Sequence, residues 1–81
     1  MRLTKHIMIA LVNEQANSYN ANSRGLGQII YDNDNETLVI ITNEQREFEF
    51  ETGQDMDARD AKEAGIYDTF ITVHHAVEAH E

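Results

Sequence analysis

Glutamate occupies every second position of REFEFE, residues 46–51, so that Glu47, Glu49 and Glu51 alternate with Phe48 and Phe50. Alternation of this kind is the pattern of a half-buried strand. It sets three carboxylates in a row on one face, about 6.6–6.8 Å apart. That interval is close to the separation of successive phosphates on one nucleic-acid strand, which carries one charge per about 3.4 Å of axis along an indirect backbone path. Asp55, Asp57, Asp60, Glu63 and Asp68 follow shortly after, with few cations among them. The chemistry on offer is recognition: a phosphate-like surface for a basic site. Each piece also has a plainer use. Charges on an edge strand prevent edge-to-edge association, and acids suit a helix N-terminus. Those uses leave the scarcity of interspersed cations unexplained.

Other clusters carry less. DNDNET (32–37) alternates Asp32, Asp34 and Glu36 like the front of a calcium loop, but its sixth residue is Thr37 instead of glycine, and the twelfth is Asn43 instead of glutamate. A hairpin turn is the better reading. His74, His75, Glu78 and His80 cluster late in the chain, with His6 distant, and their spacing fits no zinc motif. SRGLGQ (23–28) lacks the full phosphate-binding glycine pattern and precedes a strand where that pattern follows one. Ser18, Ser23 and the histidines have no catalytic motif around them. A chain of 81 residues also offers little depth for an enclosed pocket. The sequence therefore assigns no catalytic residue, no metal and no cofactor.

The charge is uneven. Residues 1–31 hold three cations against one acid, for +2, and residues 32–81 hold three against fourteen, for −11, giving the net −9. Such a surface repels phosphates and anionic membranes, which argues against direct binding of either. A basic protein is the partner it favours. Disulfides and thiolate metal sites are excluded by the lack of cysteine, which favours a reducing compartment. Arg2 and Lys5 before IMIALV faintly resemble a signal peptide, but six apolar residues are too few. The expected location is the cytoplasm.

These residues need elements to position them. The length and the lack of a linker predict one domain, 1–81. Residues 4–19 read as a helix capped by Thr4, with Leu3, Ile7, Ala10 or Leu11, Glu14 and Ser18 on one face; a strand over Leu3–Val12 is the competing reading. NSYNANSRG (17–25) has loop chemistry. Strands are predicted at about 27–32, 37–42 and 46–51, with turns at 33–36 and 43–46. Simple closure of both turns sets Ile30 opposite Val39 and Val39 opposite Phe50. Ile30, Val39, Ile41, Phe48 and Phe50 then form the core. Ile29, Tyr31, Leu38 and Ile40 share the other face with Glu49 and Glu51, and a one-residue slip reverses the assignment. DMDARDAKEAG (55–65) reads as a short helix capped by Asp57 and Asp60, ended by Gly65, with Met56, Ala61 and Ala64 inward. IYDTFITVHH favours a fourth strand, about 67–75, by composition; the spacing of Ile66, Phe70, Val73 and Val77 supports a helix instead. AVEAHE reads as a frayed end. The fold expected is α+β, in the order α-β-β-β-α-β, with helices packed on one antiparallel sheet.

By size, acidity and lack of cysteine the chain is similar to the small inhibitor proteins of phages and mobile elements. Those proteins block restriction enzymes, CRISPR complexes, nucleases or polymerases, often through acidic surfaces. The resemblance implies a non-enzymatic binding protein whose Glu47/Glu49/Glu51 face engages a basic host protein. The alternative is an accessory module that forms a homodimer through Ile29, Tyr31, Leu38 and Ile40, its acids serving only solubility.

Overall fold

The computed structural model describes residues 1–17 and 26–79. Thr4 opens the first helix, α1 (Lys5–Asn17), by accepting the Ile7 N–H at 3.2 Å through Oγ1. This satisfies a main-chain donor that the first turn leaves unpaired. Leu3 and Leu11 are buried as expected, but Met8 and Gln15 are buried in place of Ile7 and Glu14, which lie half-buried beside them with Ala10. Ser18 falls outside the described residues, as do Ser23, Arg24 and nearly all of the 17–25 loop.

Three strands follow: β1 (Leu26–Asp32), β2 (Thr37–Thr42) and β3 (Glu47–Glu51). They form one antiparallel sheet in the order β1-β2-β3. The first hairpin closes as expected. Asp32 pairs with Thr37 and Ile30 with Val39, and Asp32 Oδ1 accepts the Asp34 and Asn35 N–H groups, so DNDNET is a turn.

The second hairpin corrects the predicted register. Val39 pairs with Glu49, Leu38 with Phe50 and Ile40 with Phe48. Its loop holds three residues instead of four. Thr42 N–H donates to Arg46 O at 3.0 Å, Arg46 N–H donates to Thr42 Oγ1 at 3.1 Å, and Gln45 takes φ +64°. A three-residue loop of this kind ends in a residue with left-handed backbone. Shortening the loop by one residue moves every side chain of β2 to the opposite face relative to β3. Leu38 and Ile40 are therefore in the core, both at 0% exposure, with Phe50 beside them and Ile29, Tyr31 and Phe48 packed against it. Ile30 is 43% exposed, and Val39 and Ile41 are half-buried. The core set of Ile30, Val39 and Ile41 and the exposed set of Ile29, Tyr31, Leu38 and Ile40 thus exchange places. The homodimer interface predicted from the second set loses its exposed residues.

After β3 the chain turns at Gly53, whose φ of +91° suits glycine. It then runs beside the first residues, with Leu3 N–H on Gln54 O and Met56 N–H on Met1 O. The short helix α2 (Ala58–Glu63) has the predicted capping box. Asp57 accepts the Asp60 N–H at 2.9 Å, and Asp60 accepts the Asp57 N–H at 3.2 Å. Met56, Ala61 and Ala64 are buried as expected, and Gly65, at φ +78°, ends the helix.

The last element is a helix, α3 (Tyr67–Ala79), where composition favoured a strand. Ile66, Phe70 and Val73 all reach the core at helical spacing, and this burial outweighs the strand preference of β-branched residues. Thr69 Oγ1 donates to Gln15 Oε1, a buried polar link between α3 and α1. The fold is α+β, in the order α-β-β-β-α-α, with the helices on one sheet face.

Candidate functional site

The helices cover the Leu38/Ile40 face, and among the described residues no helix covers the other face of the sheet. Its register gives three cross-strand rows: Gln28–Ile41–Glu47, Ile30–Val39–Glu49 and Asp32–Thr37–Glu51. An apolar centre on β2 and β1 thus lies directly beside the file of glutamates on β3. Glu47, Glu49 and Glu51 are exposed. Among the described residues, no Lys or Arg side chain lies within ion-pair distance of any of them. The cations near this part of the chain are held elsewhere. The Arg46 guanidinium sits 5.1 Å from the centre of the Phe48 ring, on the helix side, and the Lys62 ammonium 4.8 Å from that of Tyr67. Both are cation–π contacts, and both leave the glutamates uncompensated.

The first hairpin adds charge at one end of this face. Hydrogen bonds from the Asn35 side chain and the Asn35 and Asp34 N–H groups hold the Asp32 carboxyl below the usual aspartate range. Partial burial, with the Glu36 and Asp32 carboxylates nearby, raises the Tyr31 hydroxyl above its ordinary value. Between Asp32 and Glu51, Thr37 Oγ1 is buried with no hydrogen-bond partner.

The other predicted partner-binding acids divide. Asp55 lies 3.1 Å from the Met1 ammonium. Asp57 and Asp60 are tied into the cap of α2, and the Asp60 N–H holds the Asp57 carboxyl below its usual range. Asp68 lies in the first turn of α3, where it suits the helix dipole. Glu63 borders an open recess of about 410 Å³ with Thr42, Asn43, Glu44, Arg46 and Gly65. These five do not extend the glutamate row, and four of them have local structural work.

Among the described residues the histidines form no common site. The His74 ring stacks on Phe70 with centroids 5.7 Å apart, and its Nε2 lies 3.2 Å from Glu78 Oε1. His75 is exposed, its ring tilted from that of His74. His80 falls outside the described residues. Among the described residues no group of three or more His, Asp or Glu is placed to hold a metal ion, and no helix is long and apolar enough to cross a membrane. A second open groove, about 440 Å³, runs between α1 and α3 and is lined mainly by Ile7, Ala10, Val73, Ala76 and Val77.

Reasoning from the sequence located the glutamates and missed their neighbours Gln28, Ile30, Val39 and Ile41. Their place follows from the three-residue loop at 43–45, which the sequence does not announce. Comparison with known protein families, curated proteins and solved structures finds none that matches the chain.

Proposed function

We propose that the chain is a non-enzymatic inhibitor of the kind encoded by phages and mobile elements, acting in the cytoplasm. Its open sheet face occupies a basic site that otherwise holds nucleic acid. The target class is a host protein of restriction, CRISPR, nuclease or polymerase type. The observation that carries this reading is the uncompensated Glu47/Glu49/Glu51 row set beside Ile30, Val39 and Ile41. Regularly spaced carboxylates give long-range attraction and fast association, and the adjoining apolar surface supplies contact that excludes water. A surface meant only for solubility has no need to place exposed isoleucine beside its charges. A two-fold homodimer through this face would bring like charges of the two copies together, which opposes it.

The test is capture from bacterial lysate at low and at high salt, on the wild type and on the Glu47→Gln/Glu49→Gln/Glu51→Gln variant, followed by competition with DNA. The reading expects nucleic-acid-binding proteins on the wild type, released by DNA or by salt and lost from the variant. The same proteins held equally by both would overturn it.

A further inference from the structure

We propose that the basic partner engages this protein by strand addition. An extended segment with Lys or Arg at alternate positions would pair with the free edge of β3 as the next strand of the sheet. The inference rests on the function proposed above and names how the partner docks.

The ladder shows which main-chain groups are open. The Thr42 N–H bond to Arg46 O marks Thr42/Arg46 as a hydrogen-bonded pair. Bonded and non-bonded pairs alternate along an antiparallel ladder, so Ile40/Phe48 and Leu38/Phe50 carry the bonds between β2 and β3. The N–H and C=O groups of Glu47, Glu49 and Glu51 then point away from β2, off the edge. Glu51 displays this orientation directly, because its N–H donates to Gln54 Oε1 and its C=O accepts the Gln54 N–H, both at 3.0 Å. Gln54 therefore closes the edge at Glu51. The outward groups of Glu47 and Glu49 remain, on exposed residues, and among the described residues no strand lies beyond them.

The same residues carry the selecting charge. Side chains directly opposite on paired strands have Cβ atoms about 4.5–5.5 Å apart, close enough for opposite charges to attract and like charges to repel. A second copy adding its own β3 would set glutamate against glutamate. A strand bearing Lys or Arg would instead meet Glu47 and Glu49 with a cation each. Its intervening side chains would lie on the helix side, beside half-buried Phe48, and should be apolar. A row that guards the edge against self-association thus selects a basic strand, since specificity comes from repelling the wrong partner as well as attracting the right one.

The experiment uses the intact 15N-labelled protein and the peptide Ac-Lys-Val-Lys-Val-Lys-Val-NH2. A second peptide of equal charge is N-methylated at the amides that would face β3. Strand addition predicts slowed hydrogen exchange at the Glu47 and Glu49 amides with the first peptide, and affinity weaker by roughly tenfold with the second, which has lost several main-chain bonds. Equal binding of the two peptides, or no binding of either, overturns strand addition. If equal binding is still lost in the triple Glu→Gln variant, the acidic-face reading stands alone. Binding that survives the Glu→Gln changes overturns both.

Discussion

On one side of β2, Leu38 and Ile40 are fully buried beneath the helices; on the other, Val39 and Ile41 are half-buried and border Ile30 and the glutamates. The four side chains are almost interchangeable in hydrophobicity, so their identity does not decide which face is covered. The neighbouring strand does. β3 has phenylalanine on one face and glutamate on the other, and the side with Phe48 and Phe50 is the one that can be buried. The covered face is built for stability, and the open face combines charge with apolar area.

The largest effect should come from the covered face. Phe50→Ala is expected to cost about 3–5 kcal/mol, as for other buried phenylalanines, whereas Ile30→Ala on the open face should stay within about 0.5 kcal/mol. Denaturant unfolding of both variants checks the contrast, and equal losses would mean the faces are assigned the wrong way round.

A smaller effect separates the acids of α2 from those of β3. Asp57→Ala should destabilise the fold through the lost cap, by less than Phe50→Ala does. The hydrogen-bonded Asp57 carboxyl has a pKa below its ordinary 3.8. Its contribution is therefore fully present well above that value and is lost as pH falls through the lower, folded-state value. Thermal melts from pH 7 down to strongly acid solution should show the gap between wild type and Asp57→Ala closing below about pH 4. A gap that persists there would deny the cap its ionised carboxylate.

Least of all should be the stability change in the triple Glu→Gln variant, under about 1 kcal/mol, because exposed charges contribute little. A large loss on unfolding would mean that the row supports the fold and is no free surface.

Much of this was legible in the sequence, for identifiable reasons. The cap of α2 could be read because Asp57 and Asp60 hold the spacing of a capping box and Gly65 supplies the left-handed stop. The first hairpin could be read because a four-residue turn was assumed and occurs. The second could not, because nothing in Asn43-Glu44-Gln45 announces that Gln45 adopts φ +64°. That one backbone angle shortens the loop and exchanges the two faces of β2. Tyr67–Ala79 misled for a different reason. Its β-branched composition is local, whereas the burial that makes it a helix is supplied by α1, α2 and the sheet. The glutamates of the candidate site were visible at once, but their apolar neighbours depended on the register and were lost with it.

The most direct measurement is the association rate of a captured basic partner with the wild type and with the Glu47→Gln/Glu49→Gln/Glu51→Gln variant, at two salt concentrations. If the open face is the docking surface, the variant should associate more slowly at low salt and lose much of its salt dependence, since steering by charge acts chiefly on association. Unchanged association together with readier aggregation of the variant would contradict the account and leave the row as a guard on the sheet edge.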